Sequence, residues 1–295
     1  MRIDRQLEGS DPSFSVELFP PKTEEAREAM FETVSELGAL KPDFFSVTYG
    51  AVGATREGTL ETVSALKQEF GFEAMAHLSC VGETTNGLRS ILGRLEDAGI
   101  ENVLALRGDP PRGEGRFEPV EGGLGGSAEL AQLISEEFPG FAIGGSCFPE
   151  VHPEAENLEH DLAYLRTKVE SGVSFLITQL FFDNDVYFDF VDSARQAGVE
   201  VPIIPGLMPI SSYSAIERMA GLCKATIPPS LRESMESLGG DQEAEAELGV
   251  AYASQQANDL MRRGAPGIHF YSLNRPYATR SILASLQAAK PWETG

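Results

Sequence analysis

The chain has 295 residues and a formal net charge of -22, with 45 acidic against 23 basic side chains. That negative surplus repels nucleic-acid phosphates and anionic lipid, and no Lys/Arg-rich block interrupts it, so neither nucleic acid nor a membrane is an expected partner. Cys80, Cys147 and Cys223 form none of the close pairs that zinc sites or disulfide scaffolds use, the first residues hold no signal-peptide core, and nowhere do about 18 apolar residues run together; a soluble cytoplasmic protein with free thiols and no metal is expected.

Short runs rich in β-branched and aromatic residues alternate with longer segments of helical periodicity, the pattern of parallel strands joined by crossover helices. After an N-terminal tail over about residues 1–13, strands are expected at Phe14–Phe19, Phe44–Tyr49, Ala74–Ser79, Asn102–Arg107, Phe141–Cys147, Ser174–Phe181, Val201–Gly206 and Gly267–Leu273. Ala26, Met30, Val34 and Leu37 make a helical stripe after the first strand, and Leu158, Leu162, Leu165 and Val169 make another after the fifth. The glycine cluster from Gly122 to Gly126 superficially matches a dinucleotide loop, but no strand immediately precedes it and a flexible loop is the expected form. Ile210 to Arg263, with the breaker Pro228-Pro229 and the acidic run DQEAEAE, reads as extra helices near a barrel mouth. Eight βα units favour closure into one (β/α)8 TIM barrel spanning 1–295, with an open doubly wound sheet as the alternative.

In such a barrel the site is built at the C-terminal ends of the strands. Those ends carry Glu17, Thr48, His77, Arg107 with Asp109, Gln179 and Arg275, a convergence of polar groups that would be costly to bury without partners and so suggests a polar ligand. Glu17, inside an apolar strand, suits a general acid, or alternatively a carboxylate paired with a barrel arginine. Gly108 and Pro110-Pro111 fit a tight turn that carries Asp109. Gln179 either finds partners within the fold or offers its amide to a ligand. His77 and His152 lack an obvious nucleophile partner and read as structural or binding groups. Asp161, Tyr164 and Lys168 share one side of a helix and, with Arg107, suit a cofactor's sugar and phosphates; the alternative is a solvated face.

Taken in order, SVELFPPK, FFSVTYG, AHLSC, VLALRGDPP, PEVHPEA, ITQLFFD, IPGLMPI and HFYSLNR resemble the bacterial methylenetetrahydrofolate reductases over nearly the whole chain. The resemblance implies a (β/α)8 flavoprotein that uses FAD and NADH or NADPH to reduce 5,10-methylenetetrahydrofolate by a ping-pong mechanism. It makes Glu17 the general acid and Asp109 the carboxylate close to flavin and folate. It puts Thr48, Tyr49, Ala51, His77, Arg107, Gly108, Asp109, His152, Ala155, Asp161, Tyr164 and Lys168 on the FAD site, with Phe148 where a flavin-contacting tyrosine is expected. Gln179 and Arg275 fall on folate contacts. Ala215 and Met219 stand where a relative has Gln and Phe touching folate or nicotinamide. A homo-oligomer follows by the same analogy. The rival readings are a folate- or flavin-binding barrel that takes electrons from a partner protein, and another FAD-dependent barrel of the proline dehydrogenase type.

Overall fold

The computed structural model describes residues 1–49, 54–109 and 117–293. The strands are β1 (Ser13–Leu18), β2 (Phe44–Val47), β3 (Ala74–Ser79), β4 (Asn102–Leu106), β5 (Ala142–Cys147), β6 (Phe175–Thr178), β7 (Ile203–Ile204), β8 (Gly206–Leu207) and β9 (Gly267–Tyr271). The helices are α1 (Ile3–Gln6), α2 (Glu24–Gly38), α3 (Ala54–Gln68), α4 (Thr85–Asp97), α5 (Ser127–Glu137), α6 (Leu158–Glu170), α7 (Asn184–Gln196), α8 (Tyr213–Cys223), α9 (Pro229–Ser237), α10 (Gln242–Arg262) and α11 (Pro276–Ala289). All the strand pairings are parallel, in the order β7-β6-β5-β4-β3-β2-β1-β9-β8. Since β7 and β8 are consecutive in the chain, the two ends of this order meet at Pro205, and the sheet closes as the expected barrel. The expected seventh strand is thus two short pieces. Proline has no N–H to give the ladder, so the run VPIIPGL cannot pair without a break.

Side chains alternate across the wall, as the twofold strand period demands. Val16, Leu18, Phe45, Val47, Ala76 and Leu78 pack outward with helix residues such as Val34, Leu37, Val63 and Leu66. Phe44, Met75, Leu104, Phe175, Ile177 and Ile204 form a separate cluster inside the barrel. The helical stripes hold except at their first members: Ala26 is exposed and Leu158 is 37% exposed, because each stands in a first turn that overhangs the sheet.

Residues 1–13 are not a free tail. Ile3, fully buried, joins the interior cluster, and its backbone N–H donates to Asn102 Oδ1 at 2.8 Å. The same Asn102 amide donates through Nδ2 to Glu73 Oε1 at 3.0 Å. A single isoleucine among polar neighbours gives no periodicity, so the sequence hides this floor to the barrel. Ile3→Val should cost about 0.5–1.5 kcal/mol by deleting one buried methylene, read as a lower urea midpoint at unchanged slope.

The insertion between β8 and β9 forms α8 and α9 before the long α10. Ile216, Ala220, Leu231 and Met235 pack on Leu180, Phe182, Met208 and Ile210, which follow the ends of β6 and β8, so the extra helices stand at the barrel mouth as expected. Tyr252 of α10 donates its hydroxyl to Phe182 O (2.6 Å) and Gln256 Nε2 donates to Phe181 O (3.1 Å), tying the insertion to the loop after β6. Among the described residues no helix is long and apolar enough to cross a membrane.

Candidate active site

Polar side chains project into the barrel from neighbouring strands. Ser15 Oγ and His269 Nδ1 are 2.7 Å apart, and Ser46 Oγ lies 3.3 Å from His269 Nε2. Glu17, two residues beyond Ser15 on the same face, places Oε2 3.6 Å from His77 Nε2 and 3.9 Å from His269 Nε2. The Glu17 side chain is only 12% accessible and its carboxyl lies between two imidazoles; no arginine pairs with it among the described residues. Burial pushes His77 down to about 4, partly offset by the Glu17 carboxylate, so His77 is neutral at neutral pH.

The sign of the His77 effect is testable. A histidine at about 4 in the fold and near 6.5 unfolded contributes stability that is complete above the unfolded value and is lost as pH falls towards 4. His77→Asn should therefore lose less thermal stability than the wild type between about pH 7 and 4.5, read as Tm by circular dichroism. Equal losses would contradict the assignment.

Beside this polar core a cavity of about 650 Å³ opens at the ends of β4, β5 and β6. Its wall includes Arg107, Gly108, Asp109, Phe148, His152, Ala155, Asp161, Tyr164, Lys168 and Gln179. The backbone after β4 is fixed by β3: Cys80 N donates to Leu106 O (3.2 Å), and Ser79 Oγ donates to Arg107 O (3.1 Å). Gly108 follows at φ +87°, where an added Cβ would lie 2.1 Å from Ser79 Oγ; only glycine can make the turn that carries Asp109 to the cavity. Pro110 and Pro111, and the flavin-site candidate Ala51, lie outside the described residues.

Arg107 gives two parallel hydrogen bonds to the Glu154 carboxylate, through Nη1 to Oε2 and through Nη2 to Oε1 (2.9 Å), and lies 5.3 Å from the Phe117 ring centre. The loop bearing His152 is set by Asp161, whose Oδ2 accepts from His152 N at 2.8 Å, and it passes through Val151 at φ +70°, an uncommon conformation for a β-branched residue. Glu154 N donates to His152 Nδ1 (3.1 Å), which leaves Nε2 as the protonated nitrogen of the neutral ring. Burial lowers the pKa of His152, consistent with that neutral form. The Phe148 ring meets His152 edge-on at 4.5 Å.

Asp161, Tyr164 and Lys168 do share one side of α6, as the helical spacing requires; Tyr164 is exposed and Asp161 half-buried, but Lys168 is only 6% exposed. Its Nζ donates to Ser146 O at 2.8 Å and makes no ion pair among the described residues, and burial pulls its pKa down. A buried ammonium with donors to spare is a strong seat for an anion. The loop from Gly122 leads into α5, whose first residue Ser127 lines the same cavity and whose cap, Gly126, offers no side chain to the helix amides. Ala128 N points to Tyr164 Oη (3.4 Å), so this helix start adds positive potential beside Lys168. The loop expectation for the glycine cluster missed that contribution, which the Gly-Gly-Ser start of an apolar periodic run could have signalled.

Glu17, Thr48, Tyr49, His77, Met219 and Arg275 do not line this cavity. Thr48 and Tyr49 follow β2, where Thr48 O accepts from Thr59 Oγ1 at 2.8 Å. Met219, like Ala215 on α8, belongs to the mouth: it packs against the cluster of Leu180 and Ile216. Arg275 is exposed at the start of α11 and makes no ion pair among the described residues.

A family profile described as methylenetetrahydrofolate reductase matches residues 2–287. The chain is 36% identical over 272 residues to the 5,10-methylenetetrahydrofolate reductase of Escherichia coli, covering 92% of this chain and 90% of that one. It is 37% identical over 295 residues to methylenetetrahydrofolate reductase (NADH) 1 of Arabidopsis thaliana, covering 97% of this chain and 50% of the relative, so it spans about half the length of the plant proteins it matches. A solved structure from Clostridium thermocellum, described as an uncharacterized protein that binds two copies of 5-methyl-5,6,7,8-tetrahydrofolic acid, shares the fold with a TM-score of 0.64 at 16% identity, covering 98% of this chain and 99% of that one. With the profile running through every strand that builds the cavity, the chain belongs to the methylenetetrahydrofolate reductase family.

Proposed function

We propose that this chain reduces 5,10-methylenetetrahydrofolate to 5-methyltetrahydrofolate with FAD as its cofactor and a reduced nicotinamide as electron source. The observation that carries the reading is one cavity that joins an anion seat, built by Lys168 and the start of α5, to a chemical end with Asp109 and Gln179. The lining suits FAD: the buried ammonium, with no ion pair among the described residues, suits the diphosphate, Asp161 and Tyr164 suit the sugar, and Phe148 and His152 offer an apolar edge and one N–H to the remainder. FAD, when bound, supplies the hydride acceptor and donor.

The chain's own residues do the rest. Glu17, its carboxyl set between two imidazoles, delivers a proton to the folate to open the five-membered ring. Asp109 then stabilises the resulting iminium cation by its negative charge. Gln179 has its Oε1 engaged by Leu180 N at 2.8 Å, so its Nε2 is the group offered to the folate or, in the other half-reaction, to nicotinamide. Phe148 keeps the packing of an aromatic ring without a phenolic hydrogen bond. NADH is the favoured reductant, since the plant relatives carry NADH in their names. Steady-state kinetics with both substrates varied test the scheme: parallel double-reciprocal lines support alternation at one site, whereas intersecting lines would require both substrates to bind together.

A further inference from the structure

The barrel closes over a break, and the residue that spans it has no role in the scheme above. β7 pairs with β6 as far as Ile177↔Ile204, β8 pairs with β9 from Gly206↔His269, and Pro205 stands between. In a continuing parallel ladder, Gly206 N would donate to Thr178 O. Here Gly206 N donates instead to Thr178 Oγ1 at 2.9 Å, and the vacated carbonyl accepts from the hydroxyl of Tyr271, which reaches across from β9 at 2.5 Å. Glycine is what lets the ring pass: a Cβ on Gly206 would lie 2.4 Å from Thr178 O and 2.6 Å from both Cε2 and the hydroxyl of Tyr271. The same ring stands edge-on to His269 at 5.5 Å.

Thr178 is followed at once by Gln179, whose backbone N–H donates to Cys147 O at 2.7 Å and whose side chain faces the cavity. The end of β6 is therefore held from one side by β5 and from the other by a tyrosine in place of a strand. We propose that Tyr271 is a positioning residue for substrate recognition: its hydroxyl gives Thr178 O the bond that Gly206 N no longer makes and fixes the β6 terminus so that the Gln179 amide meets the folate heterocycle. This rests on the folate reading above.

Tyr271→Phe tests it, because it keeps the ring against His269 and removes only the hydroxyl. Binding of 5-methyltetrahydrofolate to the FAD-loaded enzyme should weaken about tenfold, the order expected when a buried carbonyl loses a donor, while FAD affinity stays within about twofold. Gly206→Ala, which crowds the hydroxyl off Thr178 O, should reproduce the loss. In a Gln179→Ala background, Tyr271→Phe should add less than about twofold, since no amide remains to be positioned. Unchanged folate affinity in a folded Tyr271→Phe or Gly206→Ala protein overturns the inference, as does full additivity with Gln179→Ala, which would mark Tyr271 as merely structural. A wild type that takes up FAD and binds no 5-methyltetrahydrofolate would defeat the proposed function and this inference together.

Discussion

Glu17→Gln should leave FAD binding and flavin reduction by NADH nearly intact and slow reoxidation by methylenetetrahydrofolate about 10²–10⁴-fold, the usual cost of losing a positioned general acid. Two features make the variant clean. Among the described residues no arginine pairs with Glu17, and His77 beside it is neutral because burial holds it near 4, so an isosteric amide disturbs no strong ion pair there. Hydride transfer from nicotinamide needs no proton from this carboxyl, whereas opening the folate ring does. Stopped-flow absorbance separates the two half-reactions on one enzyme. Reoxidation at the wild-type rate would show that Glu17 is not the acid, and loss of FAD would make its role architectural.

Lys168→Met should weaken FAD about 10–100-fold, since charge-assisted hydrogen bonds contribute about 1.5–3 kcal/mol and this ammonium is buried with no carboxylate partner among the described residues. Methionine fills the space, so the fold should survive; replacing a buried charge by an apolar group of similar volume is often neutral. Riboflavin, which has no phosphate, should bind wild type and variant alike. Burial lowers the Lys168 pKa, so FAD affinity should also fall with rising pH sooner than an ordinary lysine would dictate, and that dependence should vanish in the variant. Equal FAD affinities by equilibrium titration would remove Lys168 from the cofactor site.

The strands that could be read from sequence are those buried on both faces, where apolar runs such as FLIT leave little choice of structure. The broken seventh strand looked continuous because both pieces are apolar, although Pro205 inside the run was a visible warning. In the site, helical spacing found Asp161, Tyr164 and Lys168 together because α6 imposes that geometry locally. His269, Ser15, Ser46 and Tyr271 were missed for the opposite reason. They come from β1, β2 and β9, the first strands and the last, which only barrel closure brings together, and small polar residues alternating with apolar ones look like any half-buried strand. Tyr49 and Met219 entered by resemblance alone, whereas Thr48 and Arg275 were legible as polar groups at strand ends; none of the four is among the residues that line the cavity.

Absorption spectroscopy of the FAD-loaded protein under anaerobic conditions tests the central claim most directly. NADH should bleach the flavin band near its visible maximum, and methylenetetrahydrofolate added next should restore it with formation of one 5-methyltetrahydrofolate per flavin. A protein that takes up no FAD, or a bleached flavin that methylenetetrahydrofolate leaves reduced, would contradict it.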